Sequence, residues 1–139
     1  MSFAGFNGYA IMLATAASFL FGGVWYGAFS KAWMDAAGVD IEKLIKGKNG
    51  PIITPYLITL AALLIMSTML AGIVGHLGVV NLKNGLITGA LLWLGFVATS
   101  LVVNHAFQGA RPMLTLIDGG HWLGVLLIQG AIIGSFGVP

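Results

Sequence analysis

The charged residues of this chain are too few and too clustered for a water-soluble fold. None occurs in the first thirty residues. Seven then fall within residues 31–48: Lys31, Asp35, Asp40, Glu42, Lys43, Lys46 and Lys48. Lys83, Arg111 and Asp118 are the only others in the 139-residue chain. A helix needs about 20 consecutive, mostly apolar residues to cross a bilayer. Each long gap between charges supplies one such crossing, at residues 8–29, 52–77, 85–107 and 113–137. A spanning segment must satisfy its own backbone in lipid, and helices do so. Barrel strands would alternate polar and apolar residues, and the run Leu-Ala-Ala-Leu-Leu-Ile-Met ending at Met66 does not.

Composition supports this reading. Only 7% of residues are charged, against about 25% in soluble proteins, and mean hydropathy is +0.98. Nucleic-acid binding is excluded on the same ground. The absence of cysteine excludes disulfides, thiolate metal sites and thiol catalysis. Residues 1–7 hold no basic n-region, so the first helix is expected to be retained. The expected fold is all-α: one integral-membrane four-helix bundle with antiparallel neighbours and lipid as its first partner.

The loops carry orientation and local signals. Lys31, Lys43, Lys46, Lys48 and Arg111 fall on one side and Lys83 on the other. Positive loops stay in the cytoplasm, which predicts both termini outside and the first and third loops inside. The first loop reads as a short interfacial helix from Lys31 to Ala37, with Trp33 and Met34 against the membrane and Gly38 ending it. A further turn or two is expected from Asp40, as N-cap, to Lys46, with Leu44 and Ile45 dipping inward. Pro51 then opens the second crossing.

Between apolar helices in lipid, small residues that permit close approach matter most. Ala10, Ala14, Ser18 and Gly22 form a stripe at four-residue spacing on helix 1, with Gly23 and Gly27 beside it. Gly85 and Gly89 open helix 3, and Gly120, Gly124, Gly130 and Gly134 punctuate helix 4. Such stripes pack one bundle internally or mate it with another subunit.

Polar groups inside apolar segments are the functional candidates, because they are costly there. Asp118 lies roughly 9 Å into helix 4 at the helical rise. His121, Trp122 and Gln129 share its side. Asn104 and His105 end helix 3 at the same depth, so Asn104, His105, Asp118 and His121 are expected to cluster. Four readings stay open. The cluster is a clasp with Asp118 accepting from Asn104, a histidine or Arg111. Otherwise it is a proton or ion relay, a metal or pigment site ligated by His105, Asp118 and His121, or a catalytic site. No nucleophile motif, HExxH, P-loop or GxGxxG accompanies it, and no cofactor is predicted. Trp25, Tyr26 and Trp33 read as an aromatic belt, and Trp25 and Tyr26 also suit a place over the cluster. Thr15, Ser67 and Thr68 read as neutral, bonding back to their own helices.

The segment Gly23-Val-Trp-Tyr-Gly27, followed by Phe29-Ser-Lys-Ala-Trp-Met34, resembles the opening signature of a prokaryotic membrane-protein family, domain of unknown function 1761. Trp93-Leu-Gly-Phe-Val-Ala-Thr99, Asn104, Phe107, Arg111-Pro112 and Leu116-Ile-Asp-Gly119 extend the likeness over nearly the whole chain. The resemblance implies a small protein of the prokaryotic inner membrane and no particular activity. It also implies an aromatic residue where this chain has His121.

Three functions fit these observations. One is a non-enzymatic protein that assembles with itself or serves as an accessory subunit of a membrane complex. Another is a proton- or ion-coupled transporter or channel protomer using Asp118 and His121. The third is a small membrane enzyme for a lipophilic substrate, for which only Arg111 and Lys31 could hold an anionic cofactor.

Overall fold

The computed structural model describes residues 6–40 and 53–138. Among these residues four helices are long and apolar enough to span a membrane: α1 (Gly8–Ala28), α3 (Thr54–His76), α4 (Leu82–Phe107) and α5 (Pro112–Phe136). A short helix, α2 (Ser30–Ala37), follows α1. The expected turns between Asp40 and Lys46, and Pro51 with its helix-opening role, fall on or run into residues outside the described ones.

Local signals set the helix ends. Asn7 caps α1 by accepting from the Ala10 N–H at 3.2 Å, and Asn81 caps α4 through the Asn84 N–H at 2.8 Å. The Asn81 cap starts α4 at Leu82, three residues before the expected Gly85. Gly38 closes α2 with φ +67°, the left-handed conformation glycine adopts without strain. Pro112 opens α5, where a missing N–H costs nothing. Within α4 the backbone passes through a π-helical stretch, Trp93–Ala98, where ordinary helix is expected.

α5 is the central helix and touches α1, α2, α3 and α4. Its contacts with α1 run from Ser18–Gln129 to Tyr26–Asp118, so the two are antiparallel. α4 and α5 are antiparallel as well and cross closely along a glycine seam. A Cβ on Gly85 would overlap the Gly130 carbonyl oxygen, and one on Gly134 would overlap that of Asn81. Gly120 and Gly124 instead make room for Trp25 and Phe21 of α1. The helix-1 stripe is consumed inside the bundle: Ala10, Ala14 and Ser18 are almost fully buried, and Gly22 lies against the His121 ring. Gly23 and Gly27 face outward with nothing near them.

Candidate functional site

Asp118 sits in the second turn of α5, where helices α1, α2 and α4 converge on it. Its Oδ1 accepts from the Tyr26 hydroxyl at 2.7 Å and from Trp33 Nε1 at 3.1 Å. Its Oδ2 faces His105 Nε2 at 3.8 Å. The other imidazole nitrogen of His105, Nδ1, is 2.8 Å from the Thr115 hydroxyl. Thr115 and Asp118 are three residues apart on one helix face, so α5 grips the His105 ring from both sides. The Asp118 side chain keeps 19% of its surface exposed, which leaves the carboxylate enclosed yet reachable.

Two indole bonds frame this centre. Trp25 Nε1 donates to the Ile117 carbonyl at 3.0 Å, and Trp93 Nε1 donates to the Gly119 carbonyl at 2.8 Å. The carbonyls on either side of Asp118 are thus tied to α1 and to the π-helical turn of α4. An aromatic N–H that is satisfied at one end and apolar elsewhere suits this depth.

Several expectations require correction. Asn104 is exposed while His105 is buried. Neighbouring helical residues point about 100° apart, so only one of the two can meet α5, and the helix reaches them through the π-helical stretch. Arg111 does not reach Asp118. It bonds the Asp35 carbonyl and carboxylate, each at 3.3 Å, on the exposed surface. Trp33, expected against the membrane, is half-buried and its indole N–H turns to Asp118. The ligand trio of His105, Asp118 and His121 does not form: among the described residues no three His, Asp or Glu side chains could hold a metal ion.

His121 occupies a separate aromatic slot one turn further along α5. Its ring stacks on Phe21 at 6.0 Å, meets Tyr26 at 4.8 Å and takes Trp122 edge-on at 4.7 Å. Its Nδ1 is buried without a hydrogen-bond partner. Gln129 lies deeper, in a second polar group that joins α1, α3 and α5. Its Nε2 donates to Ser18 Oγ at 3.0 Å and to the Leu63 carbonyl at 3.3 Å. Because Ser18 Oγ gives its own proton to the Ala14 carbonyl at 2.7 Å, both groups facing Nε2 are acceptors. Gln129 Oε1 is left unpaired. Beside it Thr15 and Ser67 bond each other across α1 and α3 at 2.8 Å. These hydroxyls therefore do more than return to their own helices. Thr68 alone of the three stays local, donating to the Leu64 carbonyl.

Thr115 and the Trp33 indole N–H join the centre beyond the expected cluster. The three-residue spacing of Thr115 from Asp118 is a signal for it in the sequence. Trp33 has no such signal, because its direction depends on how α2 folds back after Phe29.

The Asp118 centre gathers residues from segments distant in the chain: Trp25, Tyr26 and Trp33 from the first signature, and Trp93 and Asp118 from the second. No curated protein and no solved structure matches the chain. One family model does, described as protein of unknown function (DUF1761), and its match over residues 9–134 takes in all five of these residues. The chain therefore belongs to that family.

Proposed function

We propose that this membrane protein is a non-enzymatic subunit that works by assembling, with a second copy of itself or with other membrane proteins. The observation that carries this reading is the outward placement of Gly23 and Gly27. A Cβ on either would meet nothing within 4 Å, and the adjacent Leu20 and Val24 are 68% and 73% exposed. A small-xxx-small pair on an outward face lets another helix backbone approach closely. The internal polar groups support the same reading, since Asp118, Ser18, Ser67 and Gln129 are engaged in joining helices. The reading places the chain in a prokaryotic inner membrane with both termini outside, because Lys43, Lys46 and Lys48 then face the cytoplasm.

Purification in mild detergent followed by mass determination tests the assembly. The expected particle exceeds one 14.5 kDa chain, and Gly23→Leu with Gly27→Leu reduces it to one. A lone chain with no co-purifying protein refutes the reading. Labelling of single cysteines at Lys43 and Lys46 in intact cells tests the sidedness, and labelling from outside refutes it.

A second reading, proton- or ion-coupled transport, is favoured by one observation: the enclosed Asp118 carboxylate lies 3.8 Å from a histidine. Continuity argues against it. From His121 to Gln129 is eight residues, roughly 12 Å of helix, and the intervening Val125 is fully buried and apolar. Loss of a pH-dependent liposome flux in Asp118→Asn, with folding intact, would favour transport over assembly alone.

A further inference from the structure

Three aromatic side chains give their polar hydrogens to α5 at one level. Trp25 Nε1 donates to the Ile117 carbonyl, and the Tyr26 hydroxyl and Trp33 Nε1 donate to Asp118. In an aromatic belt such groups ordinarily turn to headgroups and water. Here they are spent inside the bundle while the rings stay half-buried, so what the rings still offer outside is apolar surface. Phe29, 41% exposed, adds a fourth ring against Trp25 at 4.7 Å. Tyr26 and Trp33 meet edge to face at 6.3 Å.

The carboxylate beside these rings is unevenly served. Its Oδ1 takes both donors. Its Oδ2 takes none: the facing His105 Nε2 is 3.8 Å away, beyond hydrogen-bond reach. Among the described residues no lysine or arginine is paired with Asp118, and Arg111 is taken by Asp35. With 19% of the side chain exposed, an acceptor that the fold leaves unfilled sits within reach of an outside group.

Chemistry narrows what that group is. An inorganic cation needs about six oxygen ligands in place of its water. One free carboxylate oxygen does not supply them, and among the described residues no three His, Asp or Glu side chains could hold a metal ion. A weakly hydrated organic cation asks for something else, an opposite charge and aromatic faces. Depth agrees. Asp118 lies roughly 9 Å along α5, near the membrane surface, where an amphiphilic cation keeps its charge while its apolar part stays in lipid.

We infer that Asp118 anchors a binding site for a small organic cation. The Oδ2 atom meets the charge, and the rings of Tyr26 and Trp33 flank it. The site lies within one chain and does not depend on assembly.

Titration of the detergent-solubilised chain with benzyltrimethylammonium, followed by tryptophan fluorescence, tests this. Saturable binding of one cation per chain is expected, with a Kd of about 1 mM or tighter. The neutral isostere neopentylbenzene should bind at least about tenfold more weakly, and potassium at matched ionic strength should not displace the probe. Asp118→Asn should weaken binding at least about tenfold. Tyr26→Phe, which keeps the ring, should stay within about threefold of the parent chain, whereas Tyr26→Leu should lose at least about fivefold. Circular dichroism checks that each variant is folded, and the Tyr26 pair carries the test should Asp118→Asn not fold. No saturable binding, equal affinity for the neutral isostere, binding unmoved by a folded Asp118→Asn, or Tyr26→Phe as weak as Tyr26→Leu overturns the site.

Discussion

The glycine seam between α4 and α5 makes the firmest quantitative prediction. A Cβ built on Gly89 lies 2.5 Å from the Leu126 carbonyl oxygen and 3.0 Å from its carbon, against an ordinary contact of 3.4–4 Å. Both are backbone atoms of the facing helix and cannot rotate aside. Gly89→Ala must therefore drive α4 and α5 apart by about 1 Å, and overpacking of this kind costs about 1–3 kcal/mol. Replacing glycine by alanine inside a helix returns about 0.5–1 kcal/mol. Gly95→Ala on the same helix is the control, because its Cβ meets nothing within 4 Å and only the gain applies. Gly89→Ala should thus be less stable than Gly95→Ala by about 1–3 kcal/mol, a factor of about 5 to 150 in the unfolding equilibrium. Titration of the detergent-solubilised protein with sodium dodecyl sulfate reads this through tryptophan fluorescence. Trp93 reports the seam, since its 2.8 Å bond to the Gly119 carbonyl spans the same two helices. Equal midpoints for the two variants would refute the reasoning.

Other substitutions separate the polar contacts by strength in the same titration. Tyr26→Phe removes a 2.7 Å bond to Asp118 but leaves Trp33 on the same oxygen, so a loss of about 1–2 kcal/mol is expected. No loss would show that the bond contributes nothing. Gln129→Met should change stability by less than about 1.5 kcal/mol, because it fills the site and removes the unpaired Oε1. Gln129→Ala should cost about 2–3 kcal/mol by opening a cavity at a fully buried position, and the reverse order would contradict the packing described. Arg111→Ala should cost less than about 1 kcal/mol, as its pair with Asp35 is exposed. A loss of about 3–5 kcal/mol would instead mark Arg111 as the partner of a buried charge.

How far the candidate site could be read in advance follows from its chemistry. Asp118, His105 and His121 stood out because ionisable groups are rare and costly within apolar spans. Their pairing did not. Asn104 and His105 are sequence neighbours at one depth, and nothing in the chain says which of them faces α5. Arg111 was the nearest cation to Asp118 along the chain, yet Asp35 lies closer to it in space. Trp33 was assigned to the membrane because an interfacial tryptophan ordinarily sits there. The break at Phe29 and the fold-back of α2 bring its indole N–H to Asp118.

The chain by itself determined the number and type of the membrane helices. Charge is excluded from hydrocarbon and an unpaired backbone cannot cross it, so four long uncharged runs admit one secondary structure. Asn7 and Asn81 mark helix ends through their side-chain oxygens, and Gly38 and Pro112 through their backbone conformation. Only the tertiary structure decided which face of each helix turns inward. In a soluble protein the contrast between wet and dry faces announces that choice. Here lipid and core are both apolar, so leucine suits either, and the decision passes to steric fit and a few hydrogen bonds. Gly22 is taken up by the His121 ring while its neighbour Gly23 stays outside.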